Sequence, residues 1–239
     1  MVFYAYLKNS TDNWSYRYVI TFASRAVADE WWRAVSTTTV VKFSESIRRV
    51  NAQFYTHNTG QANATDSLTT NRVATQFLNK MFFTLLNDLG FRGLSIIPSP
   101  EHFVDHISGN SFFIRSKVSP YDYWYCPLSS NFNASNAVYV SRTERTRFRV
   151  SLGDRDTAGT VMIGSDEIVI TLTTVNLSMS VIANSGQAIV SSAPTKSRFK
   201  FSDLLSRFTV GPTSYKDDQS LDMKELIYTD DGEAEWELA

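Results

Sequence analysis

The most chemically suggestive residues of the chain lie in the run EHFVDH, Glu101 to His106. On a helix, His102 and His106 fall one turn apart on the same face, a spacing that two-ligand metal sites use. His57, in a polar stretch, would supply a third imidazole. Against a metal centre, the run lacks the Glu directly after the first His that a zinc protease needs. The chain also has a single cysteine, Cys126, so no cysteine pair is available. Metal binding by His102 and His106 therefore ranks below two solvated surface histidines. Nucleophilic catalysis has less support still. There is no G-x-S-x-G elbow, no P-loop and no G-x-G-x-x-G fingerprint. Cys126 sits in an apolar strand pattern with no His beside it, which reads as a buried thiol. The acid pairs Asp154/Asp156 and Asp217/Asp218 fall in turn-like or tail contexts and read as solvated charge. The expectation is a protein that is not an enzyme.

Rings offer more than titratable groups do. Tyr121, Tyr123, Trp124 and Tyr125 fall within SPYDYWYCP, Ser119 to Pro127. On a strand, the three tyrosines share one face, and Trp124 and Cys126 take the other. Cysteine is among the most buried residue types, so Trp124 is expected to be the core ring and the tyrosine face the binding side. Flat rings with polar tips suit sugars, indole-like molecules or partner surfaces. Downstream, SRTERTRFRV carries Arg142, Arg145, Arg147 and Arg149. Arg147 and Arg149 alternate with Phe148 and Val150, which places them on an outer strand face. Such a row can hold phosphate or carboxylate groups, although pairing with acids across the sheet is the commoner arrangement.

These residues need elements to position them, and the clearest is Tyr16 to Ser36. Tyr16, Tyr18, Ile20 and Phe22 alternate with polar or smaller residues, as a half-buried strand does. Ser24 is placed to cap a helix whose Val27, Ala28, Trp31 and Val35 form one stripe, with Trp32 beside it. Residues 2–8 and 37–43 read as strands. Residues 44–55 read as a helix, 57–71 as a long polar loop, and 71–89 as a helix with a Val73, Phe77, Met81, Leu85, Leu89 stripe. Residues 91–98 read as a strand, followed by a short helix that starts at Ser99-Pro100, with Pro at its first helical position and Gly109 past its end. From Ser111 onward, short β-prone runs recur at roughly ten-residue spacing, the pattern of an antiparallel sandwich or barrel-like sheet. The acidic tail reads as a hairpin around Asp231-Gly232. The expected fold class is α+β: residues 1–110 an α/β-mixed half with strands and three helices, and residues 111–239 an antiparallel β-rich half ending in the acidic hairpin. No linker divides the halves, so one continuous domain stays open.

Composition narrows the function classes. A net charge of −1 without a Lys/Arg block argues against nucleic acid as a partner. No run is long enough for a membrane span, and the N-terminus lacks a signal peptide's pattern. One cysteine permits no internal disulfide and fits a cytoplasmic setting. Aromatics reach 13% of the chain, enough to fill a core and still line a ligand site or an interface. Strand edges in the β-rich half point to homodimer formation by edge pairing.

Two resemblances bear on this. YRYVITFASRAVADEWWRAVS resembles the last strand and closing helix of a pleckstrin-homology domain, here without the strands and basic loop that precede that helix in the family. The whole chain is similar to small cytosolic proteins of mushroom fruiting bodies, namely fungal lectins and the pigment-carrying chromoproteins of oyster mushrooms. The Trp31-Trp32 helix and the run SFFIRSK…YDYWYC…FRV carry that resemblance. It implies a non-catalytic protein binding a small, partly aromatic ligand such as a pigment, held non-covalently as a chromophore. Tyr121, Tyr123, Tyr125, Trp124, Trp31 and Trp32 are the candidate ligand-binding residues. A carbohydrate-binding lectin is the alternative, and a metal-dependent hydrolase using His102 and His106 the third.

Overall fold

The computed structural model describes residues 1–11, 16–86, 103–127, 135–153, 159–175, 177–192, 197–216, 222–232 and 234–239. The chain divides into two compact units, Met1–Asp105 and His106–Ala239. The expected strand at 91–98, the start of the short helix at Pro100, and His102 lie outside the described residues.

Unit 1 is built on five strands: β1 (Phe3–Asn9), β2 (Tyr18–Phe22), β3 (Ile47–Asn51), β4 (Phe54–His57) and β5 (Met81–Leu85). They lie in the order β3-β4-β1-β2-β5. β1 and β4 run parallel and the other pairs antiparallel. Alternation sets the buried face, with Phe3, Ala5 and Leu7 on β1 and Tyr18, Ile20 and Phe22 on β2. Helix α1 (Arg25–Thr37) follows β2 directly, and the Ser24 hydroxyl accepts from the Val27 amide at its start. Its stripe of Ala28, Trp31 and Val35 is buried. The Trp31 ring meets Phe22, Tyr55 and Phe83 at 5.7, 5.5 and 6.0 Å, and its indole N–H donates to Ser67 Oγ at 3.2 Å.

Between these elements the structure departs from periodicity in four places. Residues 37–43 are not a strand: α1 ends, and the short helix α2 (Val41–Ser46) begins. Thr38 Oγ1 accepts from the Val40 amide and donates to the Arg72 carbonyl, so side-chain bonds decide the backbone path there. Residues 44–55 are mostly the hairpin β3–β4 rather than a helix. Asn51 Oδ1 accepts from the Gln53 amide at 2.9 Å, an Asx turn that reverses the chain. The polar stretch 57–71 is partly ordered by a 3-10 turn at Ala64–Leu68 capped by Asn63. Residues 71–86 hold a 3-10 turn at Thr75–Phe77 and strand β5, in place of a long helix. The apolar spacing there serves a strand as well as a helix. β2 supplies the deciding interaction, pairing from Phe22↔Met81 to Tyr18↔Leu85.

Unit 2 contains β6 (Ser111–Ser116), β7 (Tyr123–Tyr125), β8 (Ser135–Ala137), β9 (Tyr139–Ser141), β10 (Arg147–Leu152), β11 (Glu167–Leu172), β12 (Ser178–Val181), β13 (Ala188–Ser191), β14 (Phe199–Lys200), β15 (Phe208–Lys216), β16 (Asp222–Tyr228) and β17 (Trp236–Leu238). A single short helix, α3 (Phe201–Ser206), precedes β15 among the described residues. The main path of the sheet runs β15-β16-β9-β7-β6-β10-β11-β12-β13-β8, with β14 on β11 and β17 on β6. It curls into a half-barrel. The run Ser135–Ser141 shows how far: its first half pairs with β13, and its second half pairs with β7 and β16. Gly186 tightens the same corner. Its φ is +70°, and a Cβ there would sit 2.6 Å from the Tyr228 carbonyl oxygen, so only glycine fits.

The fold is therefore α+β, with the antiparallel β-rich half that repeated short strands implied. Two further expectations are corrected. Residues 103–109 contain no helix; Ile107 makes an isolated bridge to Val161. The tail does not form a hairpin on β16. β17 crosses to β6, because Trp236 and Leu238 gain burial in the unit's core, where Trp236 is 1% exposed.

Candidate functional site

The candidate site lies on the outer face of β6, β7 and β10. On each strand alternate residues turn inward and are buried: Phe112 and Ile114, Trp124, and Phe148 and Val150. Phe113 and Arg115, Tyr123 and Tyr125, and Arg147 and Arg149 then face outward. Pairing brings them into one patch, with Arg147 opposite Phe113, Arg115 opposite Tyr123, and Tyr125 opposite Tyr139. Rings and guanidiniums interleave across it. The Arg145 and Arg147 Cζ atoms lie 4.5 and 4.6 Å from the Phe113 centroid, and Arg145 lies 5.7 Å from that of Tyr123. The Arg115 Cζ is 4.2 Å from the Tyr121 centroid. Such contacts hold guanidiniums over ring faces.

Charges on this face are compensated unevenly. Arg115 Nε donates to Glu237 Oε1 at 2.7 Å, and Arg142 Nε donates to Asp122 Oδ1 at 3.0 Å. Burial disfavours the Arg115 charge, but hydrogen bonds to Glu237 and Tyr123 raise its pKa overall. Arg145, Arg147 and Arg149 are exposed and have no carboxylate partner among the described residues. The expected cross-sheet acids are thus present for Arg115 and Arg142 but not for these three. At the far end of the patch, Tyr139 and Tyr215 meet edge-on at 5.3 Å. The Tyr215 hydroxyl donates to Glu225 Oε1 at 2.6 Å, and Gln187 Nε2 donates to the same oxygen at 3.4 Å.

Trp124 is fully buried, with Phe208, Trp236 and Phe148 rings around it at 4.8, 5.7 and 6.0 Å. Its indole N–H has no hydrogen-bond partner among the described residues. Tyr123 and Tyr125 are half-buried, and Tyr121 is more exposed, reaching the patch through Arg115 from outside β7. Cys126 is buried, and burial pushes its thiol up to about 12, which leaves it unreactive at neutral pH. Trp31 and Trp32 belong to unit 1. Trp31 is wholly buried, and Trp32 packs its ring 6.0 Å from Tyr55. Neither joins the tyrosines within one unit.

Of the three histidines, His102 lies outside the described residues, and the other two belong to different units. His57 is buried in unit 1 with both ring nitrogens engaged: Nε2 faces the Tyr16 carbonyl at 3.0 Å, and Nδ1 accepts from the Ala64 amide at 3.1 Å. Its role as a third imidazole is corrected accordingly. Burial holds its pKa below the ordinary histidine value, the Tyr16 bond offsetting part of that effect. His106 stands edge-on to Phe201 at 5.2 Å in unit 2. Among the described residues, no group of three or more His, Cys, Asp or Glu side chains could hold a metal ion.

Sequence reasoning missed Phe113, Tyr139 and Tyr215. Alternation in SFFIRSK does place Phe113 and Arg115 on one face, but the register that sets them beside Arg147 and Tyr123 is a tertiary property. It also missed a buried charge cluster in unit 1. Arg49 Nη1 donates to Asp29 Oδ1 at 2.8 Å, and its Nη2 donates to Asp105 Oδ1 at 2.7 Å. Arg25 Nε donates to Asp29 Oδ2 at 3.0 Å. Burial works against the Arg49 charge, yet Tyr55, Asp29 and Asp105 raise its pKa. Only Arg25–Asp29, four apart on α1, was readable from spacing. No protein-family model matches this chain, and no curated protein matches it either.

Proposed function

We propose that this protein is a non-catalytic binder of a small, partly aromatic molecule, such as a pigment, seated on the outer face of β6, β7 and β10. One observation carries the reading. Phe113, Tyr121, Tyr123, Tyr125 and Tyr139 share one accessible face, while Trp124, from the same sequence run, is committed to the core. Rings left half-exposed beside one another form a stacking platform with hydroxyls at its edges. Two single substitutions test the reading. Tyr123→Ala should weaken ligand binding while leaving the melting temperature of the ligand-free protein near that of the parent. Trp124→Ala should lower ligand-free stability by about 3–5 kcal/mol. Normal binding by an early-melting Tyr123→Ala variant would sink the proposal. An absorption spectrum and mass spectrum of the natively purified protein would identify a co-purifying chromophore.

A lectin is the second reading, favoured by the Tyr139–Tyr215 pair beside Glu225 and Gln187. A ring with an adjacent carboxylate and amide can stack a sugar and accept from its hydroxyls. Glycan binding without colour, lost in Tyr215→Ala, would select it. The hydrolase reading draws no support from His57, and stoichiometric zinc in purified protein would revive it. A cytoplasmic setting is proposed with the main reading, from the lone buried Cys126. Among the described residues no helix is long and apolar enough to cross a membrane. A homodimer also remains a proposal. Strand β5, last in its sheet among the described residues, is its best-placed contact, since Phe82 and Leu85 are exposed on it and the strand carries no charge. A monomeric mass by light scattering at micromolar concentration would remove that part.

A further inference from the structure

We infer that the ligand of the β6–β7–β10 face is an anionic aromatic, a planar ring bearing a carboxylate, sulfate or phosphate, with Arg145 and Arg147 binding the anion beside Phe113. The inference rests on the proposed aromatic-ligand reading and specifies its chemistry. Its basis is an imbalance on one surface. Elsewhere in unit 2 the other arginines among the described residues carry their own counter-ions: Arg115 has Glu237, Arg142 has Asp122, Arg198 has Glu167, and Arg207 has Asp203 and Asp230. Arg145, Arg147 and Arg149 have none among the described residues, and the first two converge on a single phenyl ring.

Gathering like charges without a carboxylate is unfavourable for the protein alone. The same arrangement creates a local positive potential that attracts an anion. Phe113 fixes both guanidiniums, which reduces the side-chain freedom lost when they clamp an oxyanion. Guanidiniums bind carboxylate and phosphate through paired, charge-assisted hydrogen bonds. Arg145 also lies over Tyr123, so an anion held there leaves the ligand's ring against the tyrosine platform. The nearby carboxylates do not cancel the site: Glu237 is engaged by Arg115, and Glu144 makes no ion pair with Arg145 or Arg147.

Isothermal titration with 2-naphthoate, its neutral isostere 2-naphthamide, and inorganic phosphate tests the inference. The proteins are wild type, the double variant Arg145→Gln/Arg147→Gln, and Tyr123→Ala. Wild type should bind naphthoate about tenfold or more tightly than naphthamide at low salt, as charged hydrogen bonds imply. The double variant should lose that preference yet bind naphthamide as wild type does, and added salt should erode the preference. Equal affinity for the two probes, with both lost in Tyr123→Ala, would overturn the anion inference and leave the aromatic reading intact. Phosphate binding that needs the arginines, with no gain from the naphthyl ring, would keep the anion site and overturn the aromatic reading. Binding of neither probe would overturn both. Tighter binding of a single-stranded oligonucleotide to the same residues would overturn the small-ligand assignment.

Discussion

Units 1 and 2 both gather arginines beside aromatic rings, and they compensate the charge in opposite ways. In unit 1, Arg25 stacks on Phe3 and Phe103, Arg49 lies over Tyr55, and Asp29 and Asp105 neutralise both guanidiniums. The Arg49 and Asp29 side chains are each only 4% exposed. In unit 2, Arg145 and Arg147 stack on Phe113 in the open and make no ion pair among the described residues. The difference follows from solvent. A buried guanidinium without a carboxylate is prohibitively costly, so the fold must supply one. An exposed guanidinium is solvated by water and can accept its counter-ion from a ligand. The same residue types thus act as structure in one unit and as recognition in the other.

The largest effect is expected at Arg49. Arg49→Met leaves Asp29 buried with less compensation and should cost about 3–5 kcal/mol in urea denaturation. A loss under about 1 kcal/mol would mean that the cluster is not structural. Acid provides the next test. Arginine stays charged throughout, so lability of unit 1 above pH 5.5 should come from His57. Its folded-state pKa lies below its unfolded value of 6.5, so the unfolded chain binds the extra proton first. Stability should hold above about pH 6.5, fall as pH drops from there towards the depressed folded value, and level off below it. His57→Gln should flatten that slope, measured by thermal melts between pH 7.5 and 5.5; an unchanged slope would assign the lability elsewhere.

Tyr55→Phe gives a smaller effect of opposite sign. The Tyr55 hydroxyl is buried without a hydrogen-bond partner among the described residues, so its removal should be neutral or stabilise by up to about 1 kcal/mol. Clear destabilisation would show that the hydroxyl is satisfied in solution. The least effect belongs to unit 2. Arg145→Gln/Arg147→Gln should change stability by no more than about 0.5 kcal/mol, as exposed substitutions do, while altering anion binding. A large loss of stability would make those arginines structural after all.

The sequence disclosed local structure well and pairing poorly. β2, the Ser24 cap and the Trp31 stripe of α1 were readable because each depends on near neighbours. The β-rich character of unit 2 was readable from repeated short runs. Met81–Leu85 was misread because its apolar spacing fits two periods, and only the partner strand β2 chooses between them. The tail was misread because Asp231-Gly232 is a good turn signal, while the burial gained by Trp236 against Trp124 is a long-range term. At the site, the inward turn of Trp124 and the outward turn of Tyr123 followed from alternation and from Cys126. The patch formed by Phe113, Arg145 and Arg147 depends on the β6–β10 register, which no local pattern encodes.

The pairing of β17 with β6 has a consequence for biosynthesis. The bond between Arg115 and Glu237 joins residues 122 apart in sequence, and the Ala239 amide donates to the Phe113 carbonyl. Unit 1 needs only residues up to Asp105, so it can close while the following chain is still emerging from the ribosome. Unit 2 starts with β6, whose outer partner is among the last residues of the unit to be made. Until Trp236 arrives, Trp124 and Phe208 lack one wall of their enclosure. A nascent unit 2 therefore waits with apolar surface uncovered, and this interval, rather than the finished fold, is where chaperone dependence and aggregation should be greatest.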